Sequence, residues 1–243
     1  MVKRTMKKIS LFSVLVLSAL TLGTSITQAA GTGTAADPAE GTGTVTFTEN
    51  DDATDPKDPT DPTKPNPDPL PDGNNDKTDA KGPLSLDVYP STFDFDTHKV
   101  SMSEQTYASK LTGNHYLQVT DNRDNADGWS VKVSRTEFAN DQNYELTGST
   151  FSLPAGTARN ALNTPDASAE DALLSNAGAV DIPVGEGNAV TVFGADGTAK
   201  VGKSTSTYVW DAANESLTIP ANVAKTGTFT STVNWVLSAE VYQ

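Results

Sequence analysis

The side chains able to make or break bonds are few and far apart. Two histidines, His98 and His115, occur in 243 residues, and there is no cysteine. Neither histidine stands at a metal-ligand spacing or beside a nucleophile motif, so no set of nucleophile, base and oxyanion donors can be assembled. A satisfied structural or a solvent-facing role is expected for both, and no enzyme is expected. Without a thiol there is no disulfide, no Cys-based zinc site and no attachment point for a lipoprotein lipid. The acids at Asp121, Asp124 and Asp127 invite a calcium loop. Placing Gly128 at its sixth position, however, leaves Arg123 at the first, where an aspartate is needed, and Ser134 at the twelfth, where a glutamate is needed. Short acidic side chains at this spacing suit turn stabilisation, with an irregular cation site as the other reading. No metal and no cofactor are expected.

Aromatic side chains carry more information. In the stretch from Phe229 to Val241, a period of two puts Phe229, Val233, Trp235, Leu237, Ala239 and Val241 on one face, with Asn234, Ser238 and Glu240 on the other. The same alternation aligns Trp129, Val131 and Val133 opposite Ser130 and Lys132. Tyr208 and Trp210 share a face with Ser206 and form a second candidate platform, for which core packing is the alternative. Indoles and phenols can stack on the apolar faces of sugar rings at little rotamer cost. On these strand faces they can equally be buried in a two-layer β domain.

The elements expected to position these residues are short strands after Gly82-Pro83, set apart by Gly, Asn and Asp. They are His115 to Thr120, Trp129 to Val133, Thr150 to Leu153, Ala189 to Phe193, Thr207 to Trp210, Ser216 to Ile219 and Gly227 to Tyr242. The turn-rich DNRDNADG between the first two suggests a hairpin-like connection. Ala167 to Ser175 reads as a two-turn helix or an irregular loop. This pattern points to an all-β, antiparallel, sandwich-like domain over residues 84–243.

The rest of the chain is read as address and spacer. Lys3, Arg4, Lys7 and Lys8 precede an apolar run from Ile9 to Leu22 that is shorter than the ~20 residues of a membrane span. Residues 1–29 are therefore expected to be a cleaved signal peptide, with Thr27 and Ala29 before the cut. Residues 30–83 are expected to be a disordered acidic spacer. Its DPKDPTDPTKPNPDPLP run, at about 3.1 Å per residue, would reach roughly 50 Å as polyproline II. Within it, residues 43–48 (GTVTFT) alternate like a strand and read as a detached edge strand or a partner-binding tag. The chain carries 31 acidic and 17 basic residues, a net charge of -14. Removing residues 1–29 takes away four basic and no acidic residues, leaving 13 basic against 31 acidic, about -18. With no basic cluster beyond the first eight residues, nucleic acid is not an expected partner. No sorting motif or apolar tail is visible at Val241-Tyr242-Gln243, so retention on a cell is expected to be by binding.

In order along the chain stand the acidic Asp-Pro spacer, Gly82-Pro-Leu-Ser-Leu-Asp87, Phe93-Asp-Phe95, Gln118-Val-Thr-Asp-Asn-Arg123, Gly128-Trp129 and Thr-Val-Asn-Trp235-Val-Leu237. In this ordered set the sequence resembles the WxL family, cell-surface domains of Gram-positive bacteria named for a pair of Trp-x-Leu motifs. The first motif departs from the pattern, with Val131 where the family usually has leucine. Valine keeps an apolar β-former at the position. The resemblance implies a secreted, extracellular protein held noncovalently on the cell wall, with peptidoglycan as ligand and Trp129, Val131, Trp235 and Leu237 as motif residues. It also implies, as the other reading, a protein-docking component of a multiprotein surface complex or a host-matrix adhesin.

Overall fold

The computed structural model describes residues 31–239. The expected signal peptide, and Glu240 and Val241 of the final run, lie outside them. The chain divides into two compact units, Met1–Phe47 and Thr48–Gln243. In the first, residues 41–47 are exposed and without regular structure, and Val45 and Phe47 are 72% and 86% exposed.

The second unit is all-β. In chain order its strands are β1 (Lys57–Asp58), β2 (Asp61–Pro65), β3 (Asn75–Lys77), β4 (Leu84–Pro90), β5 (Gln105–Ala108), β6 (Asn114–Asp121), β7 (Trp129–Arg135) and β8 (Thr150–Leu153), followed by β9 (Thr157–Asn160), β10 (Leu174–Asn176), β11 (Val180–Asp181), β12 (Val190–Ala195), β13 (Ser204–Asp211), β14 (Ser216–Ile219) and β15 (Val233–Ser238). They form a five-stranded sheet in the order β3-β4-β6-β13-β9, two four-stranded sheets, β10-β12-β7-β15 and β11-β8-β14-β5, and the pair β1-β2. Every strand pairing is antiparallel. The expected sandwich-like antiparallel architecture is the one observed. Its core is where inward residues of the three larger sheets meet: Leu117, Val119 and Tyr208 from one, Trp129, Val131 and Phe193 from the second, Phe151 and Leu217 from the third. Inward side chains at every second position bring the sheets face to face.

In several places the structure departs from the expectation or decides between two readings. Strands β6 and β7 are not a hairpin, because β6 pairs with β4 and β13 whereas β7 pairs with β12 and β15. The loop between them crosses from one layer to the other. Arg123 clamps it, donating to the Asp121 carboxylate through Nε at 2.9 Å and Nη2 at 2.8 Å, and to the Gly128 carbonyl at 2.8 Å. Of the two readings of Ala167 to Ser175, residues 167–173 follow the irregular loop and contain no helix. Asp166 instead accepts from the Ser168 amide, and the Asp171 amide donates to Ala158. The final run is regular only over β15.

A further difference concerns the spacer. From Asp55 to Leu70 the chain lies against the outer face of the five-stranded sheet, and Asn75–Lys77 then joins its edge as β3. The Lys57 amide donates to Gln118 Oε1 at 2.6 Å, Gln118 Nε2 donates to the Asp55 carbonyl at 3.3 Å, and Thr207 Oγ1 donates to the Pro59 carbonyl at 3.0 Å. Asn75 is fully buried, receiving the Tyr116 amide at 3.0 Å and donating to the Asn114 carbonyl at 2.8 Å. Leu70 covers a small second core of Val88, Tyr116 and Val209. A proline-rich segment has few amide donors and little apolar area. It docks here because the sheet face offers it side-chain donors and acceptors.

Candidate functional site

Four residues singled out from the sequence are core residues. Trp129 and Val131 are fully buried, Tyr208 is 3% exposed and Trp210 4%. Trp129 meets Phe193 edge-on at 4.9 Å between ring centroids, and Phe193 stacks on Tyr208 at 5.4 Å. Tyr208 lies 5.5 Å from Trp210, which lies 6.3 Å from Trp235. These five rings form one aromatic ladder through the core.

The polar tips of the ladder are engaged. Trp129 Nε1 donates to the Gly202 carbonyl at 3.2 Å, the Tyr208 hydroxyl accepts from the Gly156 amide at 2.8 Å, and Trp210 Nε1 donates to Glu215 Oε1 at 2.8 Å. The same Glu215 oxygen lies 2.6 Å from His115 Nδ1, both side chains being fully buried. Two glycines frame Trp129 for steric reasons. Gly202 has φ +84°, and a Cβ there would come within 2.3 Å of Ala195 Cβ and 2.9 Å of the indole nitrogen. Gly128, at φ +85°, faces Gly197 N at 2.6 Å in the same sense.

The platform expected at Tyr208 and Trp210 is thus a core pair. Strand β13 is covered on both sides, by the inner core and by the proline-rich strap, so its polar residues do not mark exposure. The two tryptophan motifs are neighbours in register: Trp235 stands opposite Val133 and Leu237 opposite Val131 on adjoining strands. Trp235 and Leu237 are half-buried, and Trp235 Nε1 donates to the Pro90 carbonyl at 3.2 Å. The motifs are therefore two rungs of one packed sheet, with Trp235 at the outer end of the ladder.

A different set of aromatics opens to the surface. A cleft of about 460 Å³ runs between residues 93–100 and 224–229. That volume lies within the range of about 300–1,000 Å³ usual for small-ligand sites. Phe93, Phe95, Tyr107, Phe138 and Phe229 line it. Phe95 is held edge-on by Phe151 at 5.1 Å, and the His98 ring stacks on Tyr107 at 4.0 Å while its Nε2 lies 2.6 Å from the Phe95 carbonyl. These contacts fix the floor before any ligand arrives.

The rim of the cleft is charged. Lys110 lies 3.3 Å from Asp96 and 3.8 Å from Asp94, and Lys225 sits 3.7 Å over the Tyr144 ring. The hydrogen bond from the Thr97 amide, followed by the one from Lys110, holds the Asp96 carboxyl below its ordinary value. Lys99 and Lys225 bring positive charge to the same mouth in a molecule that is strongly acidic as a whole. Sequence reasoning missed this cleft, because Phe93, Tyr107, Phe138 and Phe229 lie on separate elements. The only signal was Phe93-Asp-Phe95, noted for its order in the chain.

Around Asp121 the acids stabilise the turn: Asp121 Oδ1 accepts the Arg123 amide at 3.1 Å, and Asp127 pairs with Lys200 at 3.2 Å. No helix among the described residues is long and apolar enough to cross a membrane.

Compared with known proteins, residues 34–240 match the family model for the WxL domain, described as surface cell wall-binding. No curated protein matches the chain. No solved structure matches it either.

Proposed function

Because the chain belongs to the WxL family of surface cell wall-binding domains, we propose that it holds peptidoglycan, without catalysis and without a covalent bond, in the aromatic cleft between residues 93–100 and 224–229. The observation that carries this reading is a preformed floor of five aromatic rings beneath a lysine-bearing mouth. The apolar face of a hexosamine ring lies on Tyr107 and Phe229, and Lys99 and Lys225 face the carboxylates of the lactyl group or stem peptide. The overall charge opposes this encounter, since the chain without residues 1–29, at about -18, is repelled by anionic wall polymers. Local cations and stacking area, rather than the net field, supply the attraction. Residues 1–29 direct export and are then removed.

Retention on purified, protein-free sacculi tests the reading. Tyr107→Ala combined with Lys99→Glu is expected to lower retention at least about tenfold, the equivalent of ~1.4 kcal/mol, with the melting temperature little changed. Undiminished retention of this variant would remove the cleft from the reading. Retention of the unaltered chain only when other surface proteins are present would favour protein docking instead. Release of soluble muropeptides by the pure chain would make it an enzyme.

A further inference from the structure

Among the described residues, strand β15 has a strand neighbour on one side only, β7. Sheet edges of this kind are normally blunted by lysine, proline, a bulge or very short length, because they template the addition of another strand. None of these is present: Val233-Asn-Trp-Val-Leu-Ser238 is six residues long, uncharged and proline-free, and its register against β7 runs without a shift. A groove of about 630 Å³ runs beside it, lined by Leu86, Tyr89, Trp235 and Val236, with Lys77 and Glu186 of opposite charge also in its wall. Val236 is 53% exposed.

The end of the first compact unit offers an extended segment of matching pattern, without regular structure in its own chain. Thr44-Val-Thr-Phe-Thr48 places Val45 and Phe47 on one face and three threonines on the other. Both apolar side chains are largely exposed in their own chain, at 72% and 86%. Laid along β15, this segment would turn Val45 and Phe47 toward Leu86, Tyr89 and Trp235, and its threonines toward the side of Asn234. That meets the inward-apolar, outward-polar alternation of the edge. Gly41 to Thr48 carries no charged residue, nor does β15. In a chain with 31 acidic residues, these are two places where copies can meet with little repulsion.

We propose that residues 43–48 of one molecule add as a strand to the outer edge of β15, over residues 233–237, in a second copy, linking molecules head to tail on the surface. Main-chain hydrogen bonds hold the join, and the Val45 and Phe47 side chains select the register. Because each copy presents one donor and one acceptor, the contact is heterologous and builds rings or open chains rather than a closed pair.

Two measurements test this. A labelled peptide of residues 41–50 is titrated into the chain 48–243, which is compact on its own. The chain 30–243 is followed by light scattering as its concentration rises. Binding of the peptide, at least tenfold weaker binding of a Phe47→Asp peptide, and growth in mass that Val236→Lys or Phe47→Asp abolishes are the expected results. The Phe47 change lies outside the compact unit, so its effect cannot come from unfolding of the β domain. A chain 30–243 that stays monomeric at all concentrations would overturn the proposal, whether or not the peptide binds to 48–243. Growth in mass that survives Phe47→Asp would overturn it as well.

Discussion

The two faces of the five-stranded sheet are built on opposite terms. Along β6, His115, Leu117 and Val119 point into the main core, while Tyr116, Gln118 and Thr120 point outward under the strap. Seven of the eight residues of this strand are buried. The inner face is stabilised by area, through the aromatic ladder and its aliphatic neighbours. The outer face is stabilised by direction. Asp87 accepts from Gln118 at 2.9 Å and from Thr120 at 2.6 Å, and the strap joins the same network at Gln118 through Lys57 and Asp55, while Pro59 accepts separately from Thr207. A polar face can therefore be as fully covered as an apolar one, provided each buried group finds its partner.

The sharpest test of the inner face is Trp129→Ala, which empties a fully buried indole site and is expected to cost ~3–5 kcal/mol in urea unfolding. Deleting residues 56–77 tests the outer face. Uncovering Tyr116, Val88 and Val209 and unpairing Gln118 is expected to cost ~3 kcal/mol, whereas a free stalk would leave the melting temperature unchanged. Next comes Trp235→Ala, at the half-exposed end of the ladder, expected to cost ~1–3 kcal/mol. A loss equal to that of Trp129 would mean that the ladder behaves as one unit from end to end.

The smallest expected effect is the response to pH. Burial holds the Asp87 carboxyl above its ordinary value, outweighing the hydrogen bonds from Ser85, Thr120 and Gln118. The folded state therefore takes up a proton more readily than the unfolded chain there. Stability from this site rises as pH falls from neutral through the raised pKa toward the ordinary carboxylate value near 3.9. Asp61 is held low by Lys64 and Thr63, and Asp96 by the Thr97 amide and Lys110. Their contributions are present above the ordinary value and disappear only as pH falls below it. Melting temperatures recorded from pH 7 to 4.5 are expected to show a gain on acidification that Asp87→Asn reduces. An unchanged slope in that variant would mean that the carboxyl is not held above its ordinary value.

Much of the β domain was legible because its strands follow the period of two. Thr150–Leu153 and Ser216–Ile219 coincide with the observed β8 and β14. Both are short alternating runs between turn residues, where local pattern and tertiary environment agree. Tyr208 and Trp210 were misjudged for a physical reason. Polar neighbours such as Thr205 and Thr207 suggest exposure only if nothing polar covers them, and here the strap does. The strap itself was unreadable from composition. The rule that proline and aspartate make a stalk weighs a segment's own apolar area and ignores acceptors presented by a distant strand, such as Gln118.

What the amino-acid order alone determined is the class of fold, the absence of thiol chemistry, and the pairing of indoles with aliphatic residues on two strand faces. Those properties are local: they depend on residue type and on a repeat of two positions. The tertiary structure alone decided that the paired motifs adjoin in one sheet, that Trp129 is core while Phe229 lines a cleft, and that an acidic proline-rich run roofs a sheet. Burial and partnership belong to pairs of residues far apart in the chain, and no single segment carries them.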